Sequence, residues 1–146
     1  MKDKPWAYTQ NCQIPDGKDL PDSVMRVAAA IEYDGSSYCG WQRQNHSPSV
    51  QAEVEKALSV VADESISVVC AGRTDTGVHG VNQFIHFDTT ASRLPRQWIL
   101  GVNANLPRNI RIHWAGDKPP QFHARFSAIS RTYRYVISNQ FYRSAL

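Results

Sequence analysis

Residues 66–88 read ISVVCAGRTDTGVHGVNQFIHFD, and this stretch decides the fold. Its first part, 66–71, is apolar at nearly every position, as a buried strand is. Its last part, 81–88, alternates in part, with Val81, Phe84, Ile85 and Phe87 among Asn82, Gln83 and His86. Between the two strands lies a loop in which Gly72, Gly77 and Gly80 surround Arg73, Thr74, Asp75 and His79. Glycine permits positive φ and lets another chain come close, so this connection can be a binding loop as well as a plain turn.

Working outward, residues 50–62 carry Val50, Val54, Ala57, Leu58 and Val61 on one helical stripe, and Ser49 can cap that helix. Upstream, residues 25–33 read as a strand, closed by the Asp34-Gly35-Ser36-Ser37 breaker. An irregular segment, 38–45, follows it. Downstream, Pro95 opens a helix over 95–104 with Trp98, Ile99 and Val102 inward. Residues 110–115 form a fourth strand, 116–120 a loop, and 131–138 a last strand with Tyr133, Tyr135 and Ile137 on one face. The pattern is α+β: a ferredoxin-like βαββαβ unit with an additional C-terminal strand, an antiparallel sheet with helices on one face. Residues 1–23, rich in turn formers, read as a flexible N-terminal arm ahead of a single domain over 24–146.

Charge is distributed unevenly. Residues 1–92 hold seven Lys/Arg against twelve Asp/Glu, a net −5, and residues 93–146 hold nine against one, a net +8. Eight of those nine cations are arginines, whose planar fork suits phosphate oxygens and stacks on bases. Such a half points to a nucleic acid or to a solvated basic face. RNA-binding modules of this layout turn the open sheet face to the RNA. No apolar run approaches the roughly 20 residues of a membrane span, and the first residues lack a secretory apolar region, so a cytoplasmic location is expected. Cys12, Cys39 and Cys70 are odd in number and widely spaced, the mark of reduced thiols rather than a disulfide framework or zinc site.

The residues alone leave the 71–80 loop open. Asp75 can be a nucleophile or base with Arg73 as phosphate binder or orienter, or the loop can be an Asx-turn with a surface ion pair. Asp75 and His79, four apart, could join His86, His113 or His123 in a hydrolytic metal site, but no local ligand pair supports one. Tyr133 and Tyr135 can stack on bases beside Arg131 and Arg134, although at least one is expected in the core. Trp41-Gln42-Arg43-Gln44 can bind RNA or pack down as a loop.

At this point the sequence resembles the tRNA pseudouridine synthase A family. AGRTDTGVHG (71–80) is similar to that family's A-G-R-T-D-x-G-V-H-A loop. Tyr33-Asp34-Gly35-Ser36 through Gly40-Trp41-Gln42-Arg43-Gln44, then Ser49-Val50-Gln51 with Glu53 and Leu58, resemble its first-strand exit and first helix. Asn103, Leu106 and Pro107 match its N-x-x-L-P turn, and Phe122-His123-Ala124-Arg125-Phe126-Ser127-Ala128 with Arg131-Thr132-Tyr133-Arg134-Tyr135 its final motif. The similarity spans about residues 24–139.

The resemblance implies isomerisation of uridine to pseudouridine in the tRNA anticodon stem-loop, just 3′ of the anticodon. It implies no cofactor, no metal and a homodimer. Asp75 is then the catalytic carboxylate, Tyr133 stacks on the target base, and Arg73 helps hold the flipped nucleotide. Thr74, His79, Arg43, Arg125 and Arg131 complete the expected substrate-binding set. The family usually has Ala in place of Thr76 and Gly80, small exchanges expected only to adjust loop rigidity. Family members also run to nearly twice this length, and their second half supplies the other cleft wall and a basic partner for the aspartate. The 146-residue chain alone is therefore expected to be nearly inactive. The competing expectation is a non-catalytic RNA-binding fragment with a ferredoxin-like fold.

Overall fold

The structure, a computed structural model, describes residues 20–139 and 141. The expected arm, 1–23, therefore lies mostly outside the described residues. Four strands and two helices follow one another as β1 (Met25–Tyr33), α1 (Val50–Ala62), β2 (Val69–Cys70), β3 (Gly80–Thr89), α2 (Pro95–Asn105) and β4 (Ile110–Lys118). The sheet order is β2-β3-β1-β4, and every neighbouring pair is antiparallel. This is the expected βαββαβ arrangement.

One core joins the sheet to both helices. Val27, Ala29, Ile31 and Tyr33 of β1, Ile85 and Phe87 of β3, and Ile110, Ile112 and Ala115 of β4 meet Val54 and Leu58 of α1 and Trp98 and Val102 of α2. The phase of β4 changes between Ile112 and Ala115. Ala30 pairs with Trp114 but Ile31 pairs with Ile112, so His113 is the extra residue of a bulge. Ser49 caps α1, its Oγ accepting from the Ala52 amide at 3.4 Å. At α2 the Gln97 side chain accepts from the Leu94 amide at 2.8 Å, and Pro95 occupies the first turn.

Three expectations about strands are corrected. The second strand is only Val69–Cys70, not 66–71. The reason is visible in the hydrogen bonds: the Ile66 amide donates to Ser59 Oγ at 2.9 Å and the Val68 amide to Glu55 Oε1 at 3.0 Å. Both donors go to α1 side chains instead of a sheet ladder, while Ile66 and Val68 stay buried. The fourth strand runs on through Gly116 and Asp117, which pair with Ala28 and Val27, so the expected loop starts later. The last strand does not form: residues 131–139 carry no regular structure and are exposed. Tyr133 is 69% and Tyr135 91% exposed, so neither enters the core.

Glu55 was invisible as a special residue because it interrupts the apolar stripe of α1. It is 4% exposed and accepts from Gln51 Nε2 at 2.9 Å, from Arg43 Nη1 at 2.9 Å and from the Val68 amide. Among the described residues no helix is long and apolar enough to cross a membrane. Replacing Glu55 by Leu leaves the Val68 amide without its acceptor, a loss of about 1–3 kcal/mol. Urea unfolding should show that loss for Glu55→Leu, whereas Lys56→Ala at the neighbouring exposed position should stay within about 0.5 kcal/mol.

Candidate active site

The 71–80 loop is held by its backbone from several sides. Ala71 donates to the Phe84 carbonyl at 2.7 Å, continuing the β2–β3 ladder. The Gln83 side chain then takes both polar groups of Gly72, Oε1 accepting from its amide at 3.2 Å and Nε2 donating to its carbonyl. The Thr74 carbonyl accepts from the Trp41 amide at 2.9 Å, and its hydroxyl lies 2.8 Å from the Tyr33 hydroxyl. Gly77 donates to the Tyr38 carbonyl at 3.3 Å. Burial pushes the Tyr33 hydroxyl above its ordinary pKa, and the Thr74 hydrogen bond opposes that shift.

Two glycines of the facing segment make this clamp possible. A Cβ on Gly35 would stand 2.0 Å from the Val78 carbonyl oxygen. One on Gly40, whose φ is +94°, would stand 2.8 Å from the Thr74 carbonyl oxygen. Gly80 is equally confined: its Cβ would fall 2.4 Å from the Tyr33 ring. An alanine here therefore needs the ring to move, which is more than the expected change in loop rigidity.

Within this fixed backbone the two charged side chains are left out. Arg73 and Asp75 are exposed and make no side-chain hydrogen bond or ion pair among the described residues. The Arg73–Asp75 surface ion pair, one of the readings left open by the sequence, is absent among the described residues. Arg73 instead faces a cleft of about 520 Å³, lined also by Trp41, Gln51, Cys70, Arg125, Arg131 and Tyr133. That volume lies in the range of about 300–1,000 Å³ usual for ligand sites. Asp75 is not among its lining residues. Burial pushes the Cys70 thiol up, while Arg73 and then Arg125 pull it down, so both cations act on the cleft interior.

Arg131 fastens the C-terminal segment to this cleft. Its Nε donates to the Ala71 carbonyl at 2.8 Å and its Nη2 to the Arg125 carbonyl at 2.5 Å. The Tyr133 hydroxyl comes to rest over Gly72, 3.3 Å from where a Cβ would be. The structure therefore brings together Arg73, Arg125, Arg131 and Tyr133 of the expected set. The other three lie elsewhere. The Thr74 hydroxyl is turned to Tyr33, as above. Arg43 is paired with Glu55, although most of its side chain is exposed. His79 lines a second cleft of about 440 Å³ with Glu32, Asp34, Arg108 and Arg111. Its Nδ1 accepts from the Gly35 amide at 3.1 Å and lies 3.1 Å from Asp34 Oδ1.

The sheet face away from the helices is not open as expected for an RNA-binding module. Residues 119–128 cross it as a strap, and Ala28, Ala30 and His86 are buried there. Arg26 holds the strap by donating to the Pro120 and Phe122 carbonyls at 2.5 and 2.8 Å while pairing bidentately with Asp88. His86 Nδ1 accepts from the Ala124 amide at 3.0 Å. The strap delivers Arg125 to the cleft. Among the described residues no three His, Cys, Asp or Glu side chains could share a metal ion.

Burial, with the Arg26 and His123 charges, pulls the His86 pKa down to about 4 against a weaker opposing pull from Asp88. A depressed histidine pKa means that the unfolded chain binds more protons than the folded one between the ordinary value and about 4. Stability should therefore fall as pH drops from about 6.5 to about 4, by roughly 2–3 kcal/mol. His86→Asn keeps an acceptor for Ala124 and should flatten that part of the unfolding free energy plotted against pH. An unchanged slope in the variant would remove His86 as its source.

Comparison with known proteins follows the same lines. The family described as tRNA pseudouridine synthase matches residues 29–127, more than half of the chain. The chain is 62% identical over 122 residues to the tRNA pseudouridine synthase A of Shewanella denitrificans, covering 84% of this chain and 47% of that protein. It is 57% identical over 133 residues to tRNA pseudouridine synthase A of Escherichia coli, covering 91% and 48%. The chain thus spans about half the length of the curated relatives it matches. Arg131 and Tyr133 lie beyond the family match, whereas Arg73, Asp75 and Arg125 lie within it. On the extent of that match and the identity to these relatives, the chain belongs to the tRNA pseudouridine synthase family.

Proposed function

We propose that this chain carries the catalytic aspartate of a tRNA pseudouridine synthase, and that Asp75 is that residue. The observation that carries the reading is the contrast within one loop. Its backbone is pinned at Gly72, Thr74 and Gly77, while the Asp75 carboxylate is exposed and makes no hydrogen bond among the described residues. A folded protein that fixes a loop this firmly and leaves its carboxylate unpaired has that group available for a ligand.

The chemistry suits these parts. The N1–C1′ bond of a uridine breaks, the uracil turns, and a C5–C1′ bond forms. C5 gives up a proton and N1 gains one, so the product is an isomer. A stacked base cannot be reached, so the nucleotide is everted first. Tyr133 supplies a face for stacking, about 1–3 kcal/mol per base. Arg73, Arg125 and Arg131 supply positive charge for the phosphates beside it. Asp75 acts at the ribose, either on C1′ as nucleophile or on a ribose proton as base. The substrate is the anticodon stem-loop of tRNA, and the assembled enzyme is a cytoplasmic homodimer that needs no metal. The names of the relatives support pseudouridine formation in tRNA; the sequence resemblance alone supports the rest.

One observation favours the narrower alternative of an RNA-binding piece. Asp75 does not line the cleft that the arginines and Tyr133 share, so a cleft wall carried elsewhere is needed to bring substrate and carboxylate together. The test uses this chain and a form extended at its C-terminus to the length of the relatives. Pseudouridine in incubated tRNA is mapped by mass. The extended form is expected to modify uridines just 3′ of the anticodon, and the 146-residue chain to be nearly inactive. Asp75→Asn in the extended form should lose at least about 10²–10⁴-fold in rate with tRNA affinity within about threefold. Pseudouridine formed by that variant at the unsubstituted rate ends the assignment.

A further inference from the structure

The ladder between β2 and β3 has a continuation that is not made of backbone. Val69 pairs with His86 and Cys70 with Ile85, and the Ala71 amide reaches the Phe84 carbonyl. The next position would set Gly72 against Gln83. There the Gln83 side chain reaches across instead. Its amide offers one acceptor and one donor side by side, and Gly72 presents the matching amide and carbonyl. Beyond Gly72, the Thr74 hydroxyl lies 2.8 Å from the Tyr33 hydroxyl. One amide therefore holds both polar groups of the residue just before Arg73, where the loop leaves the sheet.

We propose that Gln83 is a positioning residue for isomerisation, setting through the Gly72 peptide the direction in which the segment carrying Arg73 and Asp75 leaves the sheet. The proposal rests on the reading of Asp75 given above. Gln83 touches no reacting atom. Its influence is geometric, and a misplacement near 1 Å at a reacting group costs on the order of 100-fold in rate. Only a side chain with donor and acceptor at this length satisfies both groups of Gly72. Methionine fills the space without either. A carboxylate satisfies the amide but sets an acceptor against the carbonyl; a protonated carboxyl satisfies both again.

The experiment compares three forms of the C-terminally extended protein by steady-state pseudouridine formation in tRNA. Gln83→Met should lower kcat about 10–100-fold while KM changes less than about threefold. Gln83→Glu should be similarly impaired at pH 8, and its rate relative to the unsubstituted protein should climb at least about tenfold by pH 5 as the carboxyl takes up a proton. Taking the ratio removes the pH effects that are common to both forms. A ratio that stays flat from pH 8 to pH 5 overturns the proposal, as does a Gln83→Met form whose KM rises with kcat unchanged. Amide exchange of Gly72 in the present chain separates this from the enzymatic reading. Protection that disappears in Gln83→Met, in a protein whose unsubstituted extended form makes no pseudouridine, defeats the assignment to isomerisation and leaves the Gln83–Gly72 link standing.

Discussion

The distance between two loops governs this site. Gly35 and Gly40 have no side chains, so residues 74–78 lie directly on the backbone that follows β1. Contact at that range lets the Trp41 amide meet the Thr74 carbonyl and the Gly77 amide meet the Tyr38 carbonyl. Any Cβ at Gly35 or Gly40 would separate the loops by more than a hydrogen bond tolerates. The hydroxyl pair Tyr33–Thr74 and the Gln83 amide then act on a loop already in place. The exposed Asp75 carboxylate therefore sits on a loop whose backbone is held on both sides of it.

Much of the architecture was legible because periodicity reports burial. Residues 50–62 and 95–104 place their apolar residues at helical spacing, and both helices form within one residue of those bounds. The misreadings share a cause. Ile66 and Val68 are apolar and buried, which looks like a strand, but burial does not say which acceptor a backbone amide finds. Gly116-Asp117 has turn chemistry, yet pairing with β1 overrides it. Residues 131–138 alternate well, but alternation needs a neighbour to become a ladder, and among the described residues none pairs with them.

The site was legible to a different degree. Arg73, Thr74 and Asp75 stand out by type and by the glycines around them. Glu55, Gln83 and Tyr33 did not, since each is a common residue in a regular element whose role appears only across the fold. Arg43 shows the limit of reading by charge. As a cation beside a tryptophan it suggests RNA contact, while in the structure a buried carboxylate already occupies one of its arms. The basic half behaves similarly: Arg111 directs its guanidinium to the Pro107 and Ile110 carbonyls. Excess charge counted along a chain is therefore larger than the charge offered to a phosphate.

Tyr133 stands on backbone without a ladder, tethered through Arg131 two residues away. Seating a base against its ring means freezing that segment, at about 1–2 kcal/mol per residue of backbone. Much of the stacking gain is spent before any net affinity appears. Whatever aligns residues 131–139 beforehand, without contacting the nucleotide at all, tightens binding by removing that entropy loss. On the proposed role of Tyr133, recognition strength is thus set partly by how straight an unpaired ribbon is held.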